Sequence, residues 1–237
     1  MTRTTRQACP RAVLAGLVAL ALTRAAAGDG GPHAPPWADD ATARLAALAL
    51  LETLNAELLS HDSATLTLDR WCDAHHLASP AVVVAERDRT ARREASAEQR
   101  RILLVSATEP VRHRHVKLKC GSHVLSEADN WYVPSRLTPA MNRQLETTDV
   151  PFGRAVQALH FQRRTLSARL LWSPLPEGWE MKGAAAFATS SGTLQIPHAV
   201  LEHRAVLTLG DGTPFSAVVE TYTGEVLAFP QPRLPRR

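Results

Sequence analysis

An alternating stretch near the middle of the chain, residues 111–137, most constrains what this sequence can fold into. It reads VRHRHVKLKCGSHVLSEADNWYVPSRL, and side chains two positions apart share one face of a β-strand. One face of the predicted strand carries Arg112, Arg114, Val116, Leu118 and Cys120, and the other carries His113, His115, Lys117 and Lys119. The pattern predicts a strand with one solvated face and one face that becomes apolar along its length.

Arg114 is the first candidate functional residue, because it lies on the face that is predicted to be buried. A guanidinium group keeps its charge on burial, so it needs an anionic partner. That partner is either a carboxylate of this protein or one on a ligand, and a structural ion pair or a rim arginine fits the same pattern. Glu220, flanked by Val219 and Tyr222 in a later apolar segment, is the candidate counterpart, although the sequence does not join the two residues.

The first 27 residues have the composition of a secretory leader. Three arginines precede an apolar run over residues 12–22, which ends at Ala25-Ala26-Ala27. A basic start, a short apolar centre and an A-x-A ending are typical of a signal peptide, and the run is shorter than the roughly 20 residues that span a bilayer. The sequence therefore predicts a periplasmic or secreted protein that begins near Gly28, with an uncleaved membrane tether as the alternative.

Removal of this segment changes the charge balance of the chain. Four of the 27 Lys and Arg residues and none of the 23 acidic residues lie in residues 1–27, so 23 basic residues face 23 acidic ones in the remainder. A neutral remainder does not favour nucleic acid or an anionic membrane as a partner. We expect no nucleic-acid partner, no stable membrane span after cleavage, and a monomer.

Of the three cysteines, Cys9 lies in the leader, which leaves Cys72 and Cys120. Two cysteines in an oxidising compartment can form one disulfide. Their spacing does not decide whether they meet.

The rest of the chain reads as one α+β domain over residues 41–230, after a turn-rich linker over residues 28–40 and before a tail over residues 231–237. We predict a helix over residues 41–60, capped by Asp39 or Asp40, and two short helices that start near Pro139 and Pro151. Strands are predicted over residues 65–70, 81–86, 102–107, 111–119, 131–133, 203–209 and 214–222, the last two joined by a glycine turn. We expect a solvated turn or surface helix over residues 87–101 and an irregular insertion over residues 173–197. Residues 161–172 are amphipathic but indicate no particular element.

The sequence lacks the motifs of common metal sites, serine hydrolases and phosphate-binding loops. The ten histidines show no H-x-x-E-H or C-x-x-C spacing, and no G-x-S-x-G elbow or phosphate-cradling glycine loop occurs. We therefore expect no metal and no cofactor.

Five segments, in this order, resemble a known family. They are LLSHDSATLT over residues 58–67, RHVKL over residues 114–118, WYVP over residues 131–134, TDVPFGR over residues 148–154, and the hairpin over residues 201–220 that ends in Glu220. Together they are similar to the L-L-x-x-D-S-x-T, R-x-x-L-L, V-P and T-P-L-G-R segments and the C-terminal hairpin of the chorismate pyruvate-lyase-like family.

The resemblance implies an antiparallel sheet with helices packed on one face and helical flaps over a buried cavity. It implies a cofactor-free elimination that converts chorismate to 4-hydroxybenzoate and pyruvate. Arg114 and Glu220 would be the catalytic residues, with Arg114 holding a substrate carboxylate and Glu220 facing the oxygen end of the ring, and Ala64 and Phe152 would line the pocket. The alternative is an exported, non-catalytic binder of small aromatic carboxylates that uses the same cavity.

Overall fold

A six-stranded antiparallel sheet organises the part of the chain that the computed structural model describes, which is residues 1–2, 36–183 and 192–233. The strands are β1 Val83–Asp88, β2 Arg112–Cys120, β3 His123–Tyr132, β4 Gln162–Leu170, β5 Ala199–Thr208 and β6 Pro214–Thr223. Their order across the sheet is β1-β2-β3-β6-β5-β4. Together with five helices, α1 to α5, this sheet confirms the predicted α+β class.

The alternation of β2 is confirmed from His113 to Cys120, whereas Arg112, at the start of the predicted buried face, is exposed. Arg114, Val116, Leu118 and Cys120 are buried, whereas Lys117 is exposed. Because β2 pairs with β1 on one side and β3 on the other, its buried side chains lie inside the sheet face rather than at its edge.

Helix α1, Ala41–Ser60, packs its small and leucine side chains on this same face of the sheet. The Asp40 carboxylate accepts a hydrogen bond from the backbone N–H of Ala43, which satisfies one of the free donors of the first turn. The buried positions recur every three or four residues: Ala43, Ala47, Leu51, Leu54 and Leu58. The predicted helix is therefore confirmed, with Asp40 as its cap.

Helix α2, Ala64–Ala74, replaces the strand predicted over residues 65–70, and that prediction is wrong. Two leucines that alternate with two threonines are too short a pattern to distinguish a strand from a buried helix. The helical period appears only when Ala64, Leu68 and Trp71 are seen to be buried together, and Ser63 caps the first turn. The Trp71 indole N–H also donates to the Val226 carbonyl oxygen at 2.8 Å, which fixes the helix to the chain after β6.

The segment after β1 contains helix α3, Ala97–Ile102, so the strand predicted over residues 102–107 is also wrong. Ser96 and Gln99 form a reciprocal capping box at its start. Leu103, which follows the helix, is fully buried with Trp131 and Val133 in a small cluster on the other face of the sheet. Ile102, Leu103 and Val105 therefore pack between the helix end and the sheet, whereas Leu104 is exposed, and none of the four residues lies in a strand.

Two short helices follow β3, as predicted. They are α4, Pro139–Thr147, which is capped by Thr138, and α5, Phe152–Ala155. Strand β4 then forms one edge of the sheet, in a segment to which the sequence assigned no element. Its mostly exposed side chains give no apolar alternation to read.

Cys72 and Cys120 form a disulfide, which the sequence left open. The two Cα atoms lie 6.5 Å apart and both side chains are fully buried. The bond therefore links helix α2 covalently to the end of strand β2.

Two predictions fall on residues that the structure does not describe. The leader over residues 1–27 lies almost wholly outside the described residues, as do residues 184–191 of the insertion predicted over residues 173–197. The described part of that insertion contains one short 3-10 helix, Trp179–Met181.

Candidate ligand-binding site

A pocket lies between the buried face of the sheet, the N-terminus of α2 and helix α5. Its internal volume is about 40 Å3, and since one water needs roughly 10–15 Å3 by the same measure, it has room for a few small groups. The four residues that the sequence analysis placed at a site all line it: Ala64, Arg114, Phe152 and Glu220. Met141 on α4 does not line the pocket and is buried in an apolar cluster with Tyr132 and Phe215.

Arg114 is the largest fully buried side chain in the described part of the protein, with 1% of its surface exposed. Its Nη2 donates to the carbonyl oxygen of Val150 at 2.8 Å, while Nε and Nη1 have no hydrogen-bond partner. Burial, followed by the like charge of Arg87, lowers the pKa of Arg114 from 12.5 to about 10, so the group remains a cation at neutral pH. The pocket thus contains a buried positive charge with unused donors.

Glu220 is not the counterpart of Arg114, and this expectation is corrected by the structure. Its Oε2 accepts hydrogen bonds from Arg163 Nη2 at 2.5 Å and from the Tyr222 hydroxyl at 3.1 Å. The Arg163 and Glu220 side chains are only 3% and 8% exposed, so the pair is a buried ion pair. Burial opposes the charge of Arg163, but the Glu220 carboxylate prevails and raises the pKa of Arg163 above its usual value.

The acid of this pair also acts on the tyrosine beside it. Burial raises the pKa of the Tyr222 hydroxyl well above its ordinary value, and the neighbouring charge of Glu220 adds to the shift. Tyr222 therefore remains a neutral donor to the carboxylate. Since Glu220 is satisfied by Arg163 and Tyr222, Arg114 is the one buried charge among the described lining residues that has no opposite charge in contact. Asp62 also lines the pocket, but it is exposed and its carboxylate accepts a hydrogen bond from the backbone N–H of Arg163.

A buried histidine on β5 lies next to the Arg163–Glu220 ion pair. His203 is opposite Glu220 in the β5–β6 register and is fully buried. Its Nε2 lies 2.9 Å from Asn55 Oδ1 on α1, so Nε2 carries the proton and donates. Burial, and then the charge of Arg163, lower the pKa of His203 from 6.5 to about 4, so the ring is neutral at pH 7.

The wall opposite the sheet is formed where α2 and α5 meet. Gly153 on α5 lies so close to α2 that a Cβ atom there would be 2.8 Å from Ser63 Oγ and 3.3 Å from Thr65 Oγ1. Arg154 then holds α5 in place, since its Nη2 donates to Asp69 Oδ2 of α2 at 2.5 Å. Glycine at position 153 therefore permits the close contact that closes this side of the pocket.

Arg163 is the site residue that the sequence analysis missed. It belongs to the exposed edge strand β4, and its neighbours Gln162 and Arg164 are both exposed. A single inward arginine in such a strand leaves no periodic pattern. The one available indication was the buried Glu220, which requires a cation from some part of the chain.

Among the residues described by the structure, no group of three or more His, Cys, Asp or Glu side chains is arranged to hold a metal ion. No family model matches the sequence. The curated protein y4mC from Sinorhizobium fredii strain NGR234, which is uncharacterized, is 57% identical over 199 residues, or 84% of each chain.

The chain belongs to the same family as y4mC. Identity of this level over most of both chains indicates a common fold, and the relative's description assigns no activity.

Solved structures resemble this chain more distantly than y4mC does. They include the effector domain of PhnF from Mycobacterium smegmatis, with 11% identity, a TM-score of 0.42, and coverage of 69% of this chain and 90% of that one. A GntR-family transcriptional regulator from Enterococcus faecalis has 12% identity, a TM-score of 0.38, and coverage of 65% and 99%. YydK, a possible transcriptional regulator from Bacillus subtilis, has 15% identity and a TM-score of 0.37. The match covers 65% of this chain and 62% of YydK, so this chain spans less than two thirds of the length of YydK. Likenesses at these TM-scores supply no ligand or partner for this chain.

These comparisons correct the functional predictions. Assignment to the chorismate pyruvate-lyase-like family of enzymes is wrong, and so is the predicted elimination of pyruvate from chorismate, because the structural neighbours are described as transcriptional regulators. The exported binder of small aromatic carboxylates receives no better support. The expectation of no nucleic-acid partner is corrected as well, since these neighbours are described as transcriptional regulators, but their low TM-scores assign no nucleic-acid partner to this chain.

The predicted export is corrected as well, since regulators are the neighbours that the chain resembles. The leader and the alternative tether concern residues that lie outside the described part of the chain. Within the described part, no helix is both long enough and apolar enough to cross a membrane.

Proposed function

We propose that this protein is a ligand-binding protein whose pocket takes a small anion, held by Arg114. The observation that carries the proposal is the state of this one side chain: it is fully buried, it is cationic at neutral pH, and two of its three nitrogens have no partner. A binding role agrees with the description of one neighbour as an effector domain, but the argument rests on the pocket.

The free donors give the reason for binding. Nε and Nη1 of Arg114 together carry three N–H groups, and each buried donor left without an acceptor costs roughly 1–3 kcal/mol. An anionic oxygen in the pocket would satisfy these donors and the charge together, and charge-assisted hydrogen bonds are about twice as strong as neutral ones. The protein therefore holds a destabilising group that an anion would compensate.

The surroundings limit the ligand. Val116, Leu118 and Val218 provide an apolar floor, and Phe152 covers the pocket from α5. With a volume of about 40 Å3 the pocket suits a small carboxylate or phosphate with at most a short apolar part. Glu220 does not repel this anion strongly, because its charge is neutralised by contact with Arg163.

Calorimetric titration with propionate and with inorganic phosphate would test the proposal. We expect one of these probes to bind with 1:1 stoichiometry to the parent protein and to lose its binding in Arg114→Met, which keeps the side-chain length but removes the charge. Arg164→Gln, an exposed arginine on β4, is the matched control and should bind as the parent does. Equal binding by the parent and Arg114→Met, or failure of both probes at millimolar concentration, would contradict the proposal.

A further inference from the structure

Five arginines converge on a surface groove that is separate from the Arg114 pocket. They are Arg87 from the end of β1, Arg89, Arg92 and Arg93 from the segment that follows it, and Arg112 from the start of β2. The groove has a volume of about 540 Å3. It is called the arginine groove below.

The acids near the arginine groove neutralise only part of this charge. Arg112 pairs with Glu146, and Arg93 Nη1 lies 2.7 Å from Asp129 Oδ2. Glu94 is the other acid that lines the groove, and it forms no ion pair among the described residues.

Three arginines of the arginine groove remain without a close carboxylate. Arg89 approaches the exposed Asp149 only at 3.9 Å. Arg87 and Arg92 form no ion pair within the described residues, and Arg92 is exposed. The groove therefore has guanidinium groups available for an external anion.

Two of these guanidinium groups are also held in place. Arg87 Nη1 donates to the carbonyl oxygens of Leu145 and Glu146 at 3.1 Å, and Arg89 Nη1 donates to the same Glu146 oxygen at 3.0 Å. These are free carbonyls in the last turn of α4, so they orient the side chains without cancelling their charge. Fixed guanidinium groups lose less side-chain entropy on binding than free ones.

We propose that the arginine groove is a second anion site, which binds a small molecule that carries two or more adjacent phosphate groups. Several separate guanidinium groups match several phosphate groups, since each guanidinium fork binds one phosphate well. The volume is that of a typical small-molecule site, and it is far larger than the Arg114 pocket. A concave shape of this size favours a small polyphosphate over a long nucleic-acid strand.

Calorimetry with inorganic tripolyphosphate at low ionic strength tests this proposal. The groove variant is Arg89→Gln with Arg92→Gln, which leaves the structural contacts of Arg87 in place. The control is Arg164→Gln with Arg169→Gln, which removes the same two charges from exposed positions on β4, at the opposite edge of the sheet. We expect the control to bind as the parent does and the groove variant to bind at least about tenfold more weakly.

Equal weakening in both double variants would show attraction to overall charge alone and would overturn the proposal, as would unchanged binding in the groove variant. Arg114→Met should keep tripolyphosphate binding, and its loss there would place the probe in the inner pocket and overturn a separate site. A 20-base-pair DNA duplex is titrated as the last probe, against the parent protein and the groove variant. Duplex binding that requires the groove arginines and that tripolyphosphate does not displace would overturn the assignment to a small polyphosphate.

Discussion

Replacing the two buried arginines of the pocket by methionine should change stability in opposite directions. Arg114 has no carboxylate in contact, and burial and the nearby charge of Arg87 lower its pKa by about 2.5, from 12.5 to about 10. At 1.36 kcal/mol per pKa unit, the folded state disfavours this charge by about 3 kcal/mol. Loss of the hydrogen bond to Val150 costs about 1 kcal/mol. Arg114→Met should therefore stabilise the unliganded protein by about 2 kcal/mol.

Arg163 differs because it is paired. Arg163→Met would leave the Glu220 carboxylate buried with only the Tyr222 hydroxyl as a donor. Breaking a buried ion pair from one side typically costs about 3–5 kcal/mol, so this variant should be strongly destabilised. Two chemically identical substitutions in one pocket would thus differ by roughly 5–7 kcal/mol.

Urea unfolding followed by circular dichroism measures both changes, in buffer without phosphate or carboxylate. For a domain of this size a gain of 2 kcal/mol corresponds to a rise of about 4–8 °C in Tm, which gives an independent thermal check. If Arg114→Met proves as destabilised as Arg163→Met, Arg114 is a structural residue whose partners satisfy it, and the argument for an anion site fails.

Three further substitutions test the surroundings of the pocket. Because the folded-state pKa of His203 is lowered from 6.5 to about 4, the stability contributed by the neutral ring should be lost as pH falls from 6.5 towards 4. The free energy of unfolding of His203→Gln should therefore depend less on pH over that range than that of the parent, and parallel pH profiles of this free energy would refute the prediction. Cys72→Ser with Cys120→Ser removes a link across 48 residues and should lower the free energy of unfolding by about 2–4 kcal/mol in urea, so an unchanged midpoint would contradict the contribution of the bond. Gly153→Ala would place a Cβ atom 2.8 Å from Ser63 Oγ, so we expect about 1–3 kcal/mol of destabilisation and weaker binding of the anionic probe, whereas parent-like values for both would show that α5 moves away freely.

The pattern of β2 shows how far periodicity can be trusted. Its face alternates over the eight residues from His113 to Cys120, and the structure buries Arg114 and Val116 and leaves Lys117 exposed. The same reasoning failed over residues 65–70, where a few alternating residues lie in α2. Length separates the two cases, because a strand in mid-sheet repeats its pattern long enough to exclude a helix, and a short run does not.

No local sequence pattern could predict which buried arginine pairs with Glu220. Arg114 and Glu220 both lie in apolar surroundings, and pairing them was the simplest interpretation of the sequence. In the structure, Glu220 instead pairs with Arg163, which lies 57 positions earlier in an exposed strand. Arg114 is left with a carbonyl oxygen of Val150.

The sequence by itself determined the elements with strong local rules: α1 with its Asp40 cap, the alternating faces of β2, and the C-terminal hairpin of β5 and β6. Each depends on side-chain period, capping or turn chemistry within a few residues. Only the tertiary structure decided that β6 lies between β3 and β5, because strand order depends on contacts between distant segments. That order brings Arg163 to Glu220 and leaves Arg114 without a carboxylate, since a buried charge takes its partner from whatever the fold places beside it.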